Sequence, residues 1–108
     1  MNVAIVSVGD ELMNGFTVDT NSSWIARKIL KYKSLDVVSK VTIKDDTNDI
    51  KDNLDYLIQN NVDYIFITGG IGPTHDDITK KALADYFNVS LVINSSYYLR
   101  LKEYFKNK

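Results

Sequence analysis

The clearest chemistry in this chain lies in a side-chain-poor stretch, Gly69, Gly70 and Gly72, that leaves a short apolar segment. Glycines at a turn let a ligand come close to main-chain N–H groups. A helix that starts just beyond directs its unpaired amides toward the same place, and such amides favour anions such as phosphate. The same glycines also suit a tight strand-to-helix turn with no ligand. The stretch lacks the Lys-Ser/Thr ending of a Walker A motif and does not match G-x-G-x-x-G, which argues against an ordinary P-loop or dinucleotide fold.

Acidic residues gather around this turn. Asp76 and Asp77 stand at the start of the following helix, where a carboxylate is stabilised by the helix dipole and can cap free amides. Thr74 and Asp77 have the spacing of a capping box. Two acids beside an anion site would repel phosphate unless Mg²⁺ or another divalent cation bridged them. Asp45 and Asp46 follow an earlier strand-like segment, so a cation shared by Asp45 and Asp77 is geometrically reasonable. The alternative is a plain polar helix start at Thr47. Asp10 and Glu11 form a third acidic pair, and Asp19, Thr20, Asn21 and Ser22 add carboxylate, hydroxyl and amide groups for hydrogen bonds. His75, the sole histidine, reads as a solvent-facing loop residue ahead of a general base. Trp24 and the tyrosines read as core or interface groups before ligand-stacking ones.

These residues need a frame. Residues 3–8 form an apolar, β-branched run that stops at Gly9, as a buried strand does. N-caps among Asp19 to Ser22 introduce a helix pairing Ile25 with Ile29 and Ala26 with Leu30, expected to reach about Lys33. Residues 36–44 read as a second strand with Val37, Val38, Val41 and Ile43 as core contacts, although the alternation is imperfect. Ile50, Leu54, Leu57 and Ile58 mark one face of a helix from about Thr47 to Asn60 and Asn61. Residues 64–67 are another buried strand. Ile78, Ala82, Leu83, Tyr86 and Phe87 give a third helix, Leu91, Val92 and Ile93 a short extended piece, and Tyr97, Leu101, Tyr104 and Phe105 an aromatic face on a last helix. Alternating strands and helices imply an α/β domain with a mostly parallel sheet. Ligands in such sheets sit outside the carboxyl ends of the strands. The loops at 9–21 and 69–77 both open there.

The bulk composition narrows the function classes. At 108 residues, 44% hydrophobic and 25% charged, the chain has the size and composition of one domain, residues 1–108. A net charge of −1 supplies no field for nucleic acid or an anionic membrane, so neither is expected as a partner. The absence of cysteine removes disulfides, thiolate metal sites and a cysteine nucleophile. Apolar runs of strand length and the lack of a signal-peptide pattern lead to the expectation of a cytoplasmic protein.

Three motifs stand in register: Ser7-Val8-Gly9-Asp10-Glu11-Leu12-Met13-x-Gly15, Asp19-Thr20-Asn21-Ser22, and Thr68-Gly69-Gly70-Ile71-Gly72-Pro73-Thr74-x-Asp76-Asp77-x-Thr79. Together they resemble the molybdopterin-binding domain family of molybdenum-cofactor biosynthesis, and within it the competence/damage-inducible CinA group. The resemblance implies a three-layer αβα domain with a parallel-rich sheet, usually a homo-oligomer, that binds molybdopterin or a related phosphorylated small molecule. It implies ligand contacts at Gly9, Gly15, Thr68, Pro73, Thr74 and Thr79 in addition to the residues above, and a Mg²⁺-binding, catalytic aspartate pair corresponding to Asp45 and Asp77. Family members that adenylylate molybdopterin use such a pair, whereas CinA-like relatives are associated with hydrolysis of ADP-ribose-type pyrophosphates. By the same resemblance the chain ends short of the family's later strands and of a pocket-completing loop. A third reading is a non-catalytic scaffold that self-associates through its aromatic last helix.

Overall fold

The computed structural model describes residues 1–71, 78–91 and 94–106, with the Phe105 side chain excluded. The elements are β1 (Asn2–Val8), α1 (Asp10–Met13), α2 (Thr20–Ile29), β2 (Asp36–Ile43), α3 (Thr47–Gln59), β3 (Tyr64–Thr68), α4 (Ile78–Tyr86) and α5 (Ser95–Lys106). Of the extended piece expected at Leu91, Val92 and Ile93, Leu91 is exposed and in no strand, and the other two lie outside the described residues.

The three strands form one parallel sheet in the order β2-β1-β3. β1 is central because it is the most apolar, and Val3 to Val8 are all buried. On one face Ala4, Val6, Val8 and Ile43 pack with Ile50, Leu54 and Leu57 of α3 and Ala82 of α4. On the other, α2 packs against β1 and β2. This is a three-layer αβα arrangement. Apolar burial decides it, since each buried Ile or Leu contributes roughly 1.5–3 kcal/mol. The exposed Lys51–Asp85 ion pair between α3 and α4, at 3.7 Å, belongs to a class contributing only about 0.2–1 kcal/mol.

The imperfect alternation of β2 has a physical cause. Val3 pairs with Val37 but Ala4 pairs with Ser39, so a bulge inserts Val38. An extra residue in a ladder goes unpaired, and Val38 is exposed rather than in the core. Val37, ahead of the bulge, borders a small cavity with Ala26 and Ile29 of α2.

Other expectations need correction. α2 stops at Ile29, not near Lys33, and Leu30 is 80% exposed. Ile58 is exposed while Ile50, Leu54 and Leu57 are buried, so the apolar stripe of α3 is narrower than its sequence suggests. Trp24, Tyr32, Tyr56 and Tyr64 lie on the surface. Tyr64 and Phe66 are exposed because they pair with Val3 and Ile5 on the α2 side of the sheet, where α2 packs on β1 and β2. All described side chains of α5 are exposed, including Tyr97, Tyr98 and Tyr104.

Replacing Leu57, 2% exposed, with Ala is expected to remove about 2–5 kcal/mol of stability. Urea unfolding checks this through a lower midpoint at an unchanged slope.

Candidate functional site

Two loops reach the carboxyl rim of the sheet, one from β1 and one from β3. The first begins at Gly9, whose amide donates to the Ile43 carbonyl at 2.9 Å and so extends the β1–β2 ladder. Asp10 then starts the four-residue helix α1, where a loop was expected. The Asp10 amide donates to Asp45 Oδ2 at 3.3 Å, and the Asp45 amide donates to Asp10 Oδ1 at 3.1 Å. This reciprocal clasp brings two carboxylates together at the ends of β1 and β2. Asp46 does something different: its Oδ1 accepts from the Asp49 amide at 3.0 Å and caps α3. Asp46 thus serves as the polar helix start, whereas Asp45 lies at the rim beside Asp10.

Asp19 is the N-cap of α2. Its Oδ1 accepts from the Ser22 amide at 3.1 Å, and its Oδ2 accepts from the Ser7 hydroxyl at 2.6 Å. Ser7 is fully buried in the middle of an apolar strand, so its hydroxyl needs a partner, and Asp19 supplies it. Ser7 is a site residue missed from sequence alone. A lone hydroxyl residue inside a buried strand was the available signal. Partial burial pushes the Asp19 carboxyl upward, but hydrogen bonds from Ser7 and Ser22 and the positive charge of Lys40 outweigh that and hold it below its usual 3.8.

The second loop leaves Thr68 and turns through Gly69 and Gly70, both in the left-handed region with φ of 85° and 64°. Gly69 presses on β1: a Cβ there would stand 2.0 Å from the Val8 carbonyl oxygen. A Cβ on Gly70 would stand 2.1 Å from Thr79 Oγ1. Thr79 is buried in α4; its hydroxyl donates to the Gly69 carbonyl at 2.8 Å and its amide to the Gly70 carbonyl at 2.9 Å. Gly72, Pro73, Thr74, His75, Asp76 and Asp77 lie outside the described residues.

Between these loops is a cavity of about 170 Å³ lined by Val8, Glu11, Leu12, Thr17, Val18, Asp19, Thr20, Asn21, Thr68 and Gly69. It brings together Glu11, Asp19, Asn21, Thr68 and Gly69 among the expected ligand contacts. Asp19 also walls a neighbouring cavity of about 240 Å³ lined by Ser7, Ser22, Ser23, Lys40, Val41 and Thr42. Gly15 sits in the exposed turn after α1 with φ of 83° and open space around it, and it does not line the cavity. Thr20, expected from the sequence to offer a hydroxyl, also lines the cavity, whereas Val8, Leu12, Thr17 and Val18 are lining residues given no ligand role by sequence reasoning. A larger concavity of about 630 Å³ lies against α5 alone, lined by Leu99, Lys102, Glu103 and Lys106. Among the described residues, no second element brings polar groups to it.

Residues 4–108 match the family described as "Probable molybdopterin binding domain". The chain belongs to this molybdopterin-binding domain family. A CinA-like protein of Flavobacterium psychrophilum is 46% identical over 98% of this chain and 26% of its own length. One from Fusobacterium nucleatum is 44% identical over 87% of this chain and 23% of its own. The chain thus spans about a quarter of the length of these curated relatives. Among solved structures, CinA from Thermoplasma acidophilum superposes with a TM-score of 0.85 at 28% identity, covering 97% of this chain and 61% of that one. The molybdopterin biosynthesis enzyme MoaB from Thermus thermophilus gives 0.70 at 27%, covering 78% and 53%. The molybdopterin-binding domain fold accounts for the parallel sheet and its two helical layers. No helix among the described residues is long and apolar enough to cross a membrane.

The depressed Asp19 carboxyl predicts a pH dependence with a definite sign. Its interactions stabilise the fold above roughly pH 4 and are lost as pH falls through the folded-state value. Ser7→Ala is expected to cost about 1 kcal/mol at neutral pH, below the roughly 1.5–3 kcal/mol of a buried charged acceptor because Asp19 keeps contact with water. Urea unfolding across pH checks it: the gap from the parent chain should narrow in acid, and a gap that widens there contradicts the assignment.

Proposed function

We propose that this domain binds a phosphorylated pterin- or nucleotide-like small molecule, molybdopterin or a relative of it, at the rim between the β1 and β3 loops. The observation that carries this reading is the cavity whose walls are Thr68 and Gly69, where the glycine turn begins, on one side and Asp19, Thr20 and Asn21 at the start of α2 on the other. Its volume is well below the roughly 300–1,000 Å³ of a whole-ligand pocket, so it suits one portion of the ligand. The walls divide by charge. Backbone N–H groups of the glycine turn suit phosphoryl oxygens, whereas Asp19 and Glu11 suit the N–H or O–H donors of a pterin or a ribose.

A divalent cation fits the donor chemistry. Asp10 and Asp45 offer hard carboxylate oxygens side by side, the ligand type Mg²⁺ takes together with phosphates. Asp45, with Asp10 beside it, would hold the ion, which would supply charge neutralisation between phosphate and protein. Among the described residues no group of three metal-binding side chains forms, and Asp77 lies outside them. The same pair of carboxylates supports a second reading, divalent-metal-dependent hydrolysis of ADP-ribose-type pyrophosphates.

Isothermal titration with molybdopterin, AMP and ADP-ribose in Mg²⁺ should give saturable heat with at least one of them. No heat from any at millimolar ligand would sink the proposal. Asp45→Asn should weaken Mg²⁺-dependent binding by about tenfold or more, equivalent to ~1.4 kcal/mol. Release of AMP from ADP-ribose that is abolished by a chelator and by Asp45→Asn supports the hydrolytic reading, and release that survives both refutes it.

A further inference from the structure

We infer that Thr79 is a positioning residue: it fixes two successive peptide planes of the glycine turn so that the Gly70 and Ile71 N–H groups face outward as a donor pair for one phosphoryl group. The inference rests on the phosphate-binding reading above and deepens it. It also gives Thr79 a role behind the ligand rather than in contact with it.

Three observations lead there. Thr79 is 3% exposed, so its hydroxyl is in no position to meet a ligand arriving from solvent. That hydroxyl and the Thr79 amide hold the carbonyls of Gly69 and Gly70, at 2.8 and 2.9 Å. One residue thereby captures two consecutive carbonyls. Finally, the peptide bonds are trans, and in a planar trans peptide the N–H points opposite to the preceding C=O. With the carbonyls of Gly69 and Gly70 drawn toward α4, the N–H groups of Gly70 and Ile71 must point away from it.

Neither N–H has a hydrogen-bond partner among the described residues. Ile71 is 67% exposed, so the outer side of the turn is open to a guest. Successive outward N–H groups form a concave, partially positive surface of the kind that holds phosphate oxygens. The turn has no slack on its inner side, because Gly69 abuts the Val8 carbonyl and Gly70 abuts the Thr79 hydroxyl. Without that hydroxyl the Gly69 carbonyl loses its partner, and the Gly69–Gly70 peptide is held less firmly. A phosphate would then have to order the donors on arrival, at a cost to affinity.

The test uses ¹⁵N-labelled protein titrated with inorganic pyrophosphate, following backbone amide resonances. In the parent chain the Gly70 and Ile71 amides should shift together and more than the Gly69 amide. Thr79→Val, which keeps the shape and removes the hydroxyl, should raise the dissociation constant about tenfold. Thr79→Ser, which restores the hydroxyl, should return it to within about twofold of the parent value. If Thr79→Val binds pyrophosphate as tightly as the parent, the role of Thr79 is wrong while the phosphate site stands. If pyrophosphate shifts Gly69 and leaves Gly70 and Ile71 unmoved in the parent chain, the deduced peptide orientation is wrong, and this arm holds even where Thr79→Val fails to fold. If the parent chain shows no response at all, the phosphate-binding reading and the role of Thr79 fall together.

Discussion

The contact on which the site depends is the approach of Gly69 to the carbonyl oxygen of Val8, close enough that a Cβ would lie 2.0 Å from that oxygen. It occurs where β3 leaves its pairing with β1, one residue past the Ser7–Thr68 pair. Any side chain would push the turn off the end of β1 and separate the two walls of the cavity. The positive φ of Gly69 adds a second reason for glycine, since other residues meet steric strain there. Sheet pairing therefore carries the chain directly into the glycine turn, where Gly69 follows the last paired residue of β3.

Around this contact, each functional group is held by a partner from a different element. Ser7 of β1 fixes Asp19, which in turn caps α2. Asp10 and Asp45 each donate an amide hydrogen bond to the other's carboxylate and join the ends of β1 and β2. Thr79 of α4 ties down the glycine turn. Such bonds contribute about 0.5–1.5 kcal/mol each, more when an acceptor is charged. Apolar burial along β1, α3 and α4 outweighs them in stabilising the fold. Their effect is geometric: polar side chains converge on the rim already oriented, which reduces the ordering a ligand must impose.

Much of the fold can be read from periodicity. β1, α3, β3 and α4 lie within a residue or two of their expected positions because their apolar residues recur at strand or helix spacing and their ends carry strong signals. Asn61, for example, stops α3 in the left-handed conformation. β2 was harder, since its bulge moves Val37 and Val38 out of simple alternation, and a bulge leaves no fixed mark in sequence. α1 escaped notice because a four-residue helix is too short for periodicity to register. At the site, the acidic and glycine residues were visible by type. Their division into cap, clasp and cavity wall was not, because it depends on partners distant in sequence: Ser7 with Asp19, Asp10 with Asp45, Gly69 with Thr79.

The most direct test of the Gly69–Val8 constraint is the affinity of Gly69→Ala for inorganic pyrophosphate, measured calorimetrically under conditions where circular dichroism shows the variant folded. An added methyl must displace the turn from Val8, so affinity should fall by about tenfold or more. Affinity equal to that of the parent chain would contradict the dependence of the site on that close approach.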